Sequence, residues 1–405
     1  MKDIFHELLS SGNIIKNKEV LRPSYIPSFL PHREKQINEL ASILVSALKG
    51  EAPSNVFIYG KTGTGKTAVS TFVGKHLMKK GKEMGAPIHF IYINCEIVDT
   101  QYRILQNITN HFIKGWDERI PFTGWPTDEV YSRLINSIDK AKGVTVIVLD
   151  EVDKVKGDEV LYNLSRINND LKEGKASVIG ISNDLKFTEF LDPRVKSSLG
   201  EENLVFPPYT ADELKDILSE RAKLAFKENA IEDGVISLCS AKAAQEHGDA
   251  RRALDLLRVS AEIAERLGDK SVREKHVRMA ENKIELDRVR EVIRTLPLQS
   301  KIVLLSALIG TKEYGSLTTG DLYSIYEELC NRGGYTNLTQ RRVADIISEL
   351  DMMGILNARV ISKGRYGRTR EIEVPVSNKI KEILEKDESL PDVENYRPKL
   401  QSKLL

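Results

Sequence analysis

Cysteine is scarce in this chain and placed too far apart to staple anything. Cys95, Cys239 and Cys330 make no disulfide framework and no metal-binding spacing, which sets aside a stapled secreted domain and a zinc module and points to a reducing cytoplasm. Each reads as a small buried apolar side chain rather than a reactive thiol. Net charge is nearly absent as well: 60 Lys and Arg against 59 Asp and Glu leave +1, so any basic surface has to be local. The chain has no N-terminal apolar leader and no apolar run of about 18 residues, so neither export nor a membrane partner is expected. Internal repeats and low-complexity tracts are lacking too. What remains is 41% hydrophobic and 29% charged, an ordinary globular balance, in 405 residues, enough for two to four domains of roughly 100–200 residues each.

The stretch around which the rest is arranged is Gly60-Lys61-Thr62-Gly63-Thr64-Gly65-Lys66-Thr67. It fits the G-x-x-x-x-G-K-[ST] pattern, and its context fits too: Asn55–Tyr59 reads as a buried strand and the residues after Thr67 as a helix. Gly60, Gly63 and Gly65 let the backbone curl so that N–H groups, including that of Thr64, face a phosphate chain. The helix start adds its positive dipole end. Lys66 would reach the β- and γ-phosphates of ATP or ADP, and Thr67 would ligate Mg²⁺.

Before this loop, Pro23, Pro27 and Pro31 predict an extended arm, and Ile37, Leu40, Ala41, Leu44 and Leu48 predict a helix. After it come a strand at Ile88–Ile93 and helices over Tyr102–Ile113 and Asp128–Ala141. A third strand, Val144–Leu149, ends at Asp150-Glu151. Ligands of open parallel sheets lie beyond the strand carboxyl ends. Asp150 is therefore expected beside Mg²⁺ and Glu151 where it can deprotonate a water. A fourth strand, Ser177–Ser182, ends at Asn183, either a holder of that water or of the γ-phosphate, or simply an asparagine favoured in a turn. Arg194 is a candidate arginine finger pushed at a neighbouring subunit's nucleotide, the alternative being a surface arginine.

Beyond Phe206-Pro207-Pro208 the pattern turns helical. Thr210-x-x-Glu213 reads as a capping box. Asp249 reads as the N-cap of a helix with Leu254, Leu257, Ala261 and Ala264 inward. In this lid Arg251 is the cation placed to fold back on the nucleotide, Arg252 reads equally well as a solvated surface charge, and Tyr209 and Arg221 are candidates to border the site. The third unit offers helices at Ser300–Ile309, Asp321–Cys330 and from Thr339 to Leu350. The last has a Val343, Ile346, Ile347, Leu350 core stripe and Thr339, Gln340, Arg341 and Arg342 at its outer N-terminal end, where recognition helices meet base edges. Two strands, Ile355–Ile361 and Thr369–Val374, flank a glycine-bounded tip. Lys363, Arg365, Tyr366, Arg368 and Arg370 there suit phosphate and minor-groove contacts, although a winged helix can also dock protein. The tail beyond Lys386 is expected to be poorly ordered.

With LDPRVKSSLG, FPPYTADEL, HGDARRALDLLR and TQRRVADIISELDMMGIL followed by GRYGRT, the chain resembles archaeal AAA+ replication initiators. These are related to the origin recognition complex and its cell-division-cycle helicase-loading partner. The resemblance implies an N-terminal arm over residues 1–30, an α/β AAA+ ATPase core over 31–205 with a parallel sheet and helices on both faces, and an all-helical lid over 206–287. A C-terminal winged-helix domain over 288–387 and a tail over 388–405 complete the order. It puts Asn183 in the sensor-one place, Arg251 in the sensor-two place and Arg194 in the finger. Ser198 stands where such initiators often carry a second arginine, leaving Arg194 to act alone. It further implies a DNA-touching insertion within Tyr102–Trp125, double-stranded origin DNA, the replicative helicase and other initiator paralogues as partners, and a nucleoid-associated cytoplasmic protein. Nucleotide would act as a slow switch. The rival readings are a DNA-binding regulator with structural ADP and a clamp-loader-type motor.

Overall fold

Strands whose side chains point alternately to two apolar layers build the N-terminal sheet. In the computed structural model, which describes residues 14–184, 186–362 and 368–374 with 380, 383–384, 387, 389–390 and 396–398, these are β1 (Val56–Tyr59), β2 (Ile88–Asn94), β3 (Val144–Asp150), β4 (Lys175–Ser182) and β5 (Glu202–Val205). They lie in the order β2-β3-β4-β1-β5 and every pairing is parallel. All of β3 is buried. Its Val144, Val146 and Val148 join one core with Leu40, Leu44 and Val69, while Ile147 and Leu149 join the other with Ile104, Ile108 and Leu134. Helices α1 (Glu34–Leu44) and α2 (Lys66–Met84) cover the first face. Helices α3 (Gln101–Phe112), α4 (Thr127–Ala141), α5 (Glu159–Ser165) and α6 (Pro193–Leu199) cover the second. A sheet covered on both faces needs apolar residues at most central strand positions, as β3 and the Val178–Ile181 stretch of β4 supply. Strand β5 was not foreseen: only Leu204 of its four residues is buried, so neither alternation nor a continuous apolar run announces it.

Asn55 fastens the start of β1. Its Nδ2 donates to the carbonyls of Ser165 at 3.0 Å and Ser198 at 2.9 Å, and its Oδ1 accepts from the Val178 N–H at 2.9 Å. One buried amide thus ties β1 and β4 to the ends of α5 and α6.

The lid follows as α7 (Ala211–Ala225), α8 (Val235–Gln245) and α9 (Ala250–Arg266). Thr210 and Glu213 form the expected capping box, and Leu254, Leu257, Ala261 and Ala264 are buried as expected. The described part of the arm, expected to run extended over the surface, is partly buried against the lid. Ile14, Val20 and Leu21 are buried, the Lys16 N–H donates to Ala225 O at 2.7 Å, and the Glu265 carboxylate accepts from the N–H groups of Ile14 and Ile15. Ile14, Val20 and Leu21, all ahead of the first proline, are buried and hold this part of the arm on the lid. Residues 1–13 lie outside the described residues.

The chain divides into two units, 1–280 and 281–405, and the expected boundary at 287/288 falls inside one helix, α10 (Glu274–Thr295). In the second unit α11 (Leu298–Tyr314), α12 (Thr319–Gly333) and α13 (Gln340–Met352) pack on an antiparallel sheet. Its strands β6 (Leu317–Thr318), β7 (Asn357–Ser362) and β8 (Arg368–Glu373) run in the order β6-β8-β7. Val343, Ile346, Ile347 and Leu350 are all buried, as their spacing predicts. The described positions of the tail, expected to be poorly ordered, are docked. Lys301 pairs with Asp387 at 2.7 Å, the Tyr335 hydroxyl donates to Ser389 O, and Tyr396 is buried with its hydroxyl on Glu328.

Candidate nucleotide site and nucleic-acid interface

The loop after β1 and the ends of β3 and β4 converge on one lysine. Gly63 at φ +69° and Gly65 at φ +92° adopt the left-handed turn that other residues resist, and this brings Lys66 back under the loop. Its Nζ donates to Gly60 O at 2.7 Å, Lys61 O at 2.8 Å and Asn183 Oδ1 at 2.8 Å. Burial pulls its pKa down to about 8, with Asp150 opposing. The Thr64 side chain turns inward to Lys61 O.

Asp150 organises the acidic side. Its Oδ2 accepts from Thr67 Oγ1 at 2.6 Å and from the Tyr92 hydroxyl at 2.7 Å, and its Oδ1 accepts from the Glu151 N–H at 2.9 Å. Glu151 itself has φ +57°, a conformation that costs a non-glycine residue energy and clusters at functional sites. Burial, then Glu96 and Asp150, raises the Glu151 carboxyl above its ordinary range, the direction a general base requires. Thr67 and Asp150 offer hard oxygen donors side by side, which suits Mg²⁺ better than a softer metal. Behind them Asp153 accepts from Ser182 Oγ at 2.9 Å and braces the segment that carries Asn183.

These groups open into a cleft of about 410 Å³ between sheet and lid, walled by Tyr25–Pro31 of the arm, Tyr209, Ile217 and Leu254. Arg251 and Arg221 both line it. Arg251 stands at the start of α9 and is exposed. Arg221 is buried and donates to the carbonyls of Val20 and Tyr25 at 3.1 Å each, so it holds the arm as one wall of the cleft. Tyr209 is buried with its hydroxyl against Gly65, where an added Cβ would come within 2.8 Å of it. Arg194 lines no part of this cleft. It is exposed, forks onto Asp192 at 3.2 and 3.0 Å, and lies 5.4 Å from the Tyr162 ring centroid. Arg166 lies over the same ring at 4.9 Å and donates to Ser198 Oγ at 3.2 Å. Sequence reasoning missed Tyr92, whose hydroxyl reaches Asp150 from the next strand, and Arg33, buried beneath the loop. No local pattern marks either.

On the second unit Thr339 caps α13 by accepting from the Arg342 N–H, and Gln340 and Arg341 are exposed at the helix start. Arg342 leans toward Glu349 at 3.5 Å and Asp345 at 4.0 Å. Arg370 is half-buried and spends Nη1 on Ala344 O at 2.9 Å and Ser348 Oγ at 2.6 Å, which braces α13 from β8. Lys363, Arg365 and Tyr366, with the side chain of Arg368, lie outside the described residues. In the first unit, the loop between α3 and α4 exposes Trp116 (77%) and Phe122 (73%), with Arg119 5.3 Å from the Trp116 centroid.

A phosphate loop and acidic strand end on a parallel sheet, followed by a helical lid and a winged helix, define an AAA+ ATPase joined to a winged-helix module. The family comparisons agree: an AAA ATPase domain matches residues 30–170, a Cdc6 AAA+ ATPase-type lid domain 215–282, and a CDC6 C-terminal winged helix domain 291–382. The ORC1-type DNA replication protein 1 of Methanosarcina mazei is 59% identical over 94% of this chain and 93% of its own. The ORC1-type DNA replication protein of Thermococcus onnurineus is 56% identical over 100% and 99%. Among solved structures, the Aeropyrum pernix Orc1 protein in complex with DNA superposes with a TM-score of 0.80 at 46% identity, covering 92% of this chain and 97% of that one. The chain belongs to the archaeal ORC1-type family of Orc1/Cdc6 replication initiators. Among the described residues no helix is long and apolar enough to cross a membrane.

Proposed function

We infer that this chain binds ATP and ADP with Mg²⁺, recognises a sequence in double-stranded origin DNA, and helps to load the replicative helicase there. Slow hydrolysis serves as a switch. The observation that carries the reading is the Asp150 carboxylate joined to Thr67 at 2.6 Å in a site where Lys66 and Asn183 also meet at 2.8 Å. A purely structural nucleotide site has no use for a water-activating Glu151 beside them.

Mg²⁺ on Thr67 and Asp150 would supply charge neutralisation at the β- and γ-phosphates. Lys66, held by carbonyls and the Asn183 amide, exchanges those acceptors for phosphate oxygens without a large rearrangement. The N–H groups from Gly63 to Thr67 face the same anion. Glu151 takes the proton of an attacking water, and Asn183 fixes where that water sits. Arg251 closes on the γ-phosphate from the lid. Arg194, turned away from its own cleft, serves a second copy or a paralogue on DNA. The apolar arm segment Tyr25–Pro31 suits the base.

On DNA, Gln340 and Arg341 face base edges, Thr339 and Arg342 flank them, and Lys363, Arg365, Tyr366, Arg368 and Arg370 serve the adjoining groove and backbone. The exposed Trp116 and Phe122 add a second contact. The Aeropyrum pernix relative was solved in complex with DNA, which supports this half of the reading. Footprinting across the chromosomal origin tests it. Protection of a discrete repeated element, with helicase retained on that DNA by wild type and lost with Lys66→Ala, is the expected result. Uniform protection, or equal helicase retention by both proteins, would overturn it.

A further inference from the structure

A buried guanidinium lies between the phosphate loop and the hinge to the lid, and none of the chemistry above uses it. Arg33 is 2% exposed. Its Nε donates to Thr64 O at 2.9 Å, its Nη2 to Pro207 O at 2.7 Å and its Nη1 to His32 O at 2.8 Å. The guanidinium carbon lies 3.7 Å from the Tyr209 ring centroid. An apolar side chain would fill this space at a lower desolvation cost. A guanidinium does what that side chain cannot: it presents donors at fixed angles to several acceptors at once and stacks flat on a ring.

Which acceptors it holds is the point. A peptide unit is planar, so the Thr64 carbonyl and the Gly65 N–H point opposite ways from one plate. Fixing the oxygen aims the N–H, and that N–H belongs to the phosphate-binding turn. The neighbouring plate is held from the lid, because the Ala250 N–H donates to Gly63 O at 3.1 Å. Tyr209, on which Arg33 stacks, closes against Gly65 and donates its N–H to Gly248 O at 3.3 Å. Two successive loop carbonyls are thus tied to the hinge and to the lid.

We propose that Arg33 is a positioning residue that couples the phosphate loop to the lid hinge, so that aiming the loop N–H groups and closing the lid are one event and bound nucleotide is retained. The proposal rests on the nucleotide reading above and deepens it. When the lid swings away, the Pro207 carbonyl leaves Arg33, the Thr64 plate loosens, and the phosphates lose an aimed donor.

The test is release of a fluorescent ADP analogue from the full chain, with thermal unfolding of the same proteins. Wild type must bind the analogue; if it does not, the nucleotide reading itself fails. Given binding, Arg33→Gln should release it about tenfold faster, since the charge-assisted hydrogen bonds to both the Thr64 and the Pro207 carbonyls are lost together with the stack on Tyr209. Arg33→Lys, which can keep one carbonyl but not the stack, should fall between the two. The rise in Tm caused by ADP should shrink in the same order. A lower Tm without ADP, with release unchanged, would mean that Arg33 only supports the fold and would overturn the proposal. Should Arg33→Gln fail to fold, Arg33→Lys and Tyr209→Leu decide: faster release in both supports the coupling, and wild-type release in both refutes it.

Discussion

Replacing Gly63 by alanine probes the contact between loop and lid. A Cβ at this position would fall 1.7 Å from Asp249 Oδ1 and 2.1 Å from its Cγ, so one of the two residues has to move. The backbone there has φ +69°, which costs an L side chain about 1–2 kcal/mol. Asp249 is not free to yield, because its carboxylate caps α9 by accepting from the N–H groups of Arg251 at 2.7 Å and Arg252 at 3.2 Å. Losing such a cap costs about 1 kcal/mol. Gly63→Ala should therefore destabilise by about 2–3 kcal/mol, and Asp249→Ala alone by about 1 kcal/mol. The double variant has no carboxylate to strike and loses the cap only once. Its cost should stay near 2–3 kcal/mol instead of the sum of about 3–4 kcal/mol, a coupling of about 1 kcal/mol. Urea unfolding of the four proteins, followed by circular dichroism, measures the cycle. Additive costs within about 0.5 kcal/mol would show that loop and lid do not meet at this point.

Asn55→Ala removes three hydrogen bonds from a buried amide and should cost about 3 kcal/mol in thermal unfolding, with a loss under about 1 kcal/mol contradicting its role. Lys66 is held near a pKa of about 8 and phosphate would raise it, so above that pH binding must take up a proton. Affinity for ADP measured by calorimetry should fall as pH rises through 8, by up to about tenfold per unit, and a flat profile would refute this. In the free chain the same lowered pKa means that the unfolded state binds more protons between pH 8 and 10.5, so this group's contribution to stability rises with pH across that window. Tyr92→Phe removes a donor from Asp150 Oδ2 and should shift the Mg²⁺ half-saturation of ADP binding by about tenfold while Mg²⁺-free affinity stays put.

Much of this architecture was legible because its signals are local. The phosphate loop is one unbroken octapeptide, β3 is apolar from Val144 to Leu149 apart from Thr145, and the Thr210 and Asp249 caps announce their helices within a few residues. What stayed hidden depends on contacts across the chain. Arg33 meets Thr64 from 31 residues away and Tyr92 meets Asp150 from 58; each reads in isolation as an ordinary charged or aromatic residue. Strand β5 has one buried residue, Leu204, and exposes Glu202, Asn203 and Val205, so it is defined by pairing to β1 alone. Arg370 shows the converse. Its basic neighbourhood suggests a DNA contact, yet half of its work is to hold α13, which only the fold of β8 against that helix discloses. In the arm from Ile14 onward, and at the described tail positions Asp387, Ser389 and Tyr396, single long-range contacts that no local pattern announces hold the chain.

The central claim, that this initiator reads a sequence in origin DNA, is tested most directly by salt-titrated binding isotherms. An origin-repeat duplex is compared with a scrambled duplex for wild type, Arg341→Ala and Arg365→Ala. Wild type should prefer the repeat, Arg341→Ala should lose about 1–3 kcal/mol of that preference, and Arg365→Ala should weaken binding to both duplexes and flatten the salt slope by roughly one unit. Equal, weak binding of both duplexes by all three proteins would contradict the claim and make the winged helix a protein-docking module.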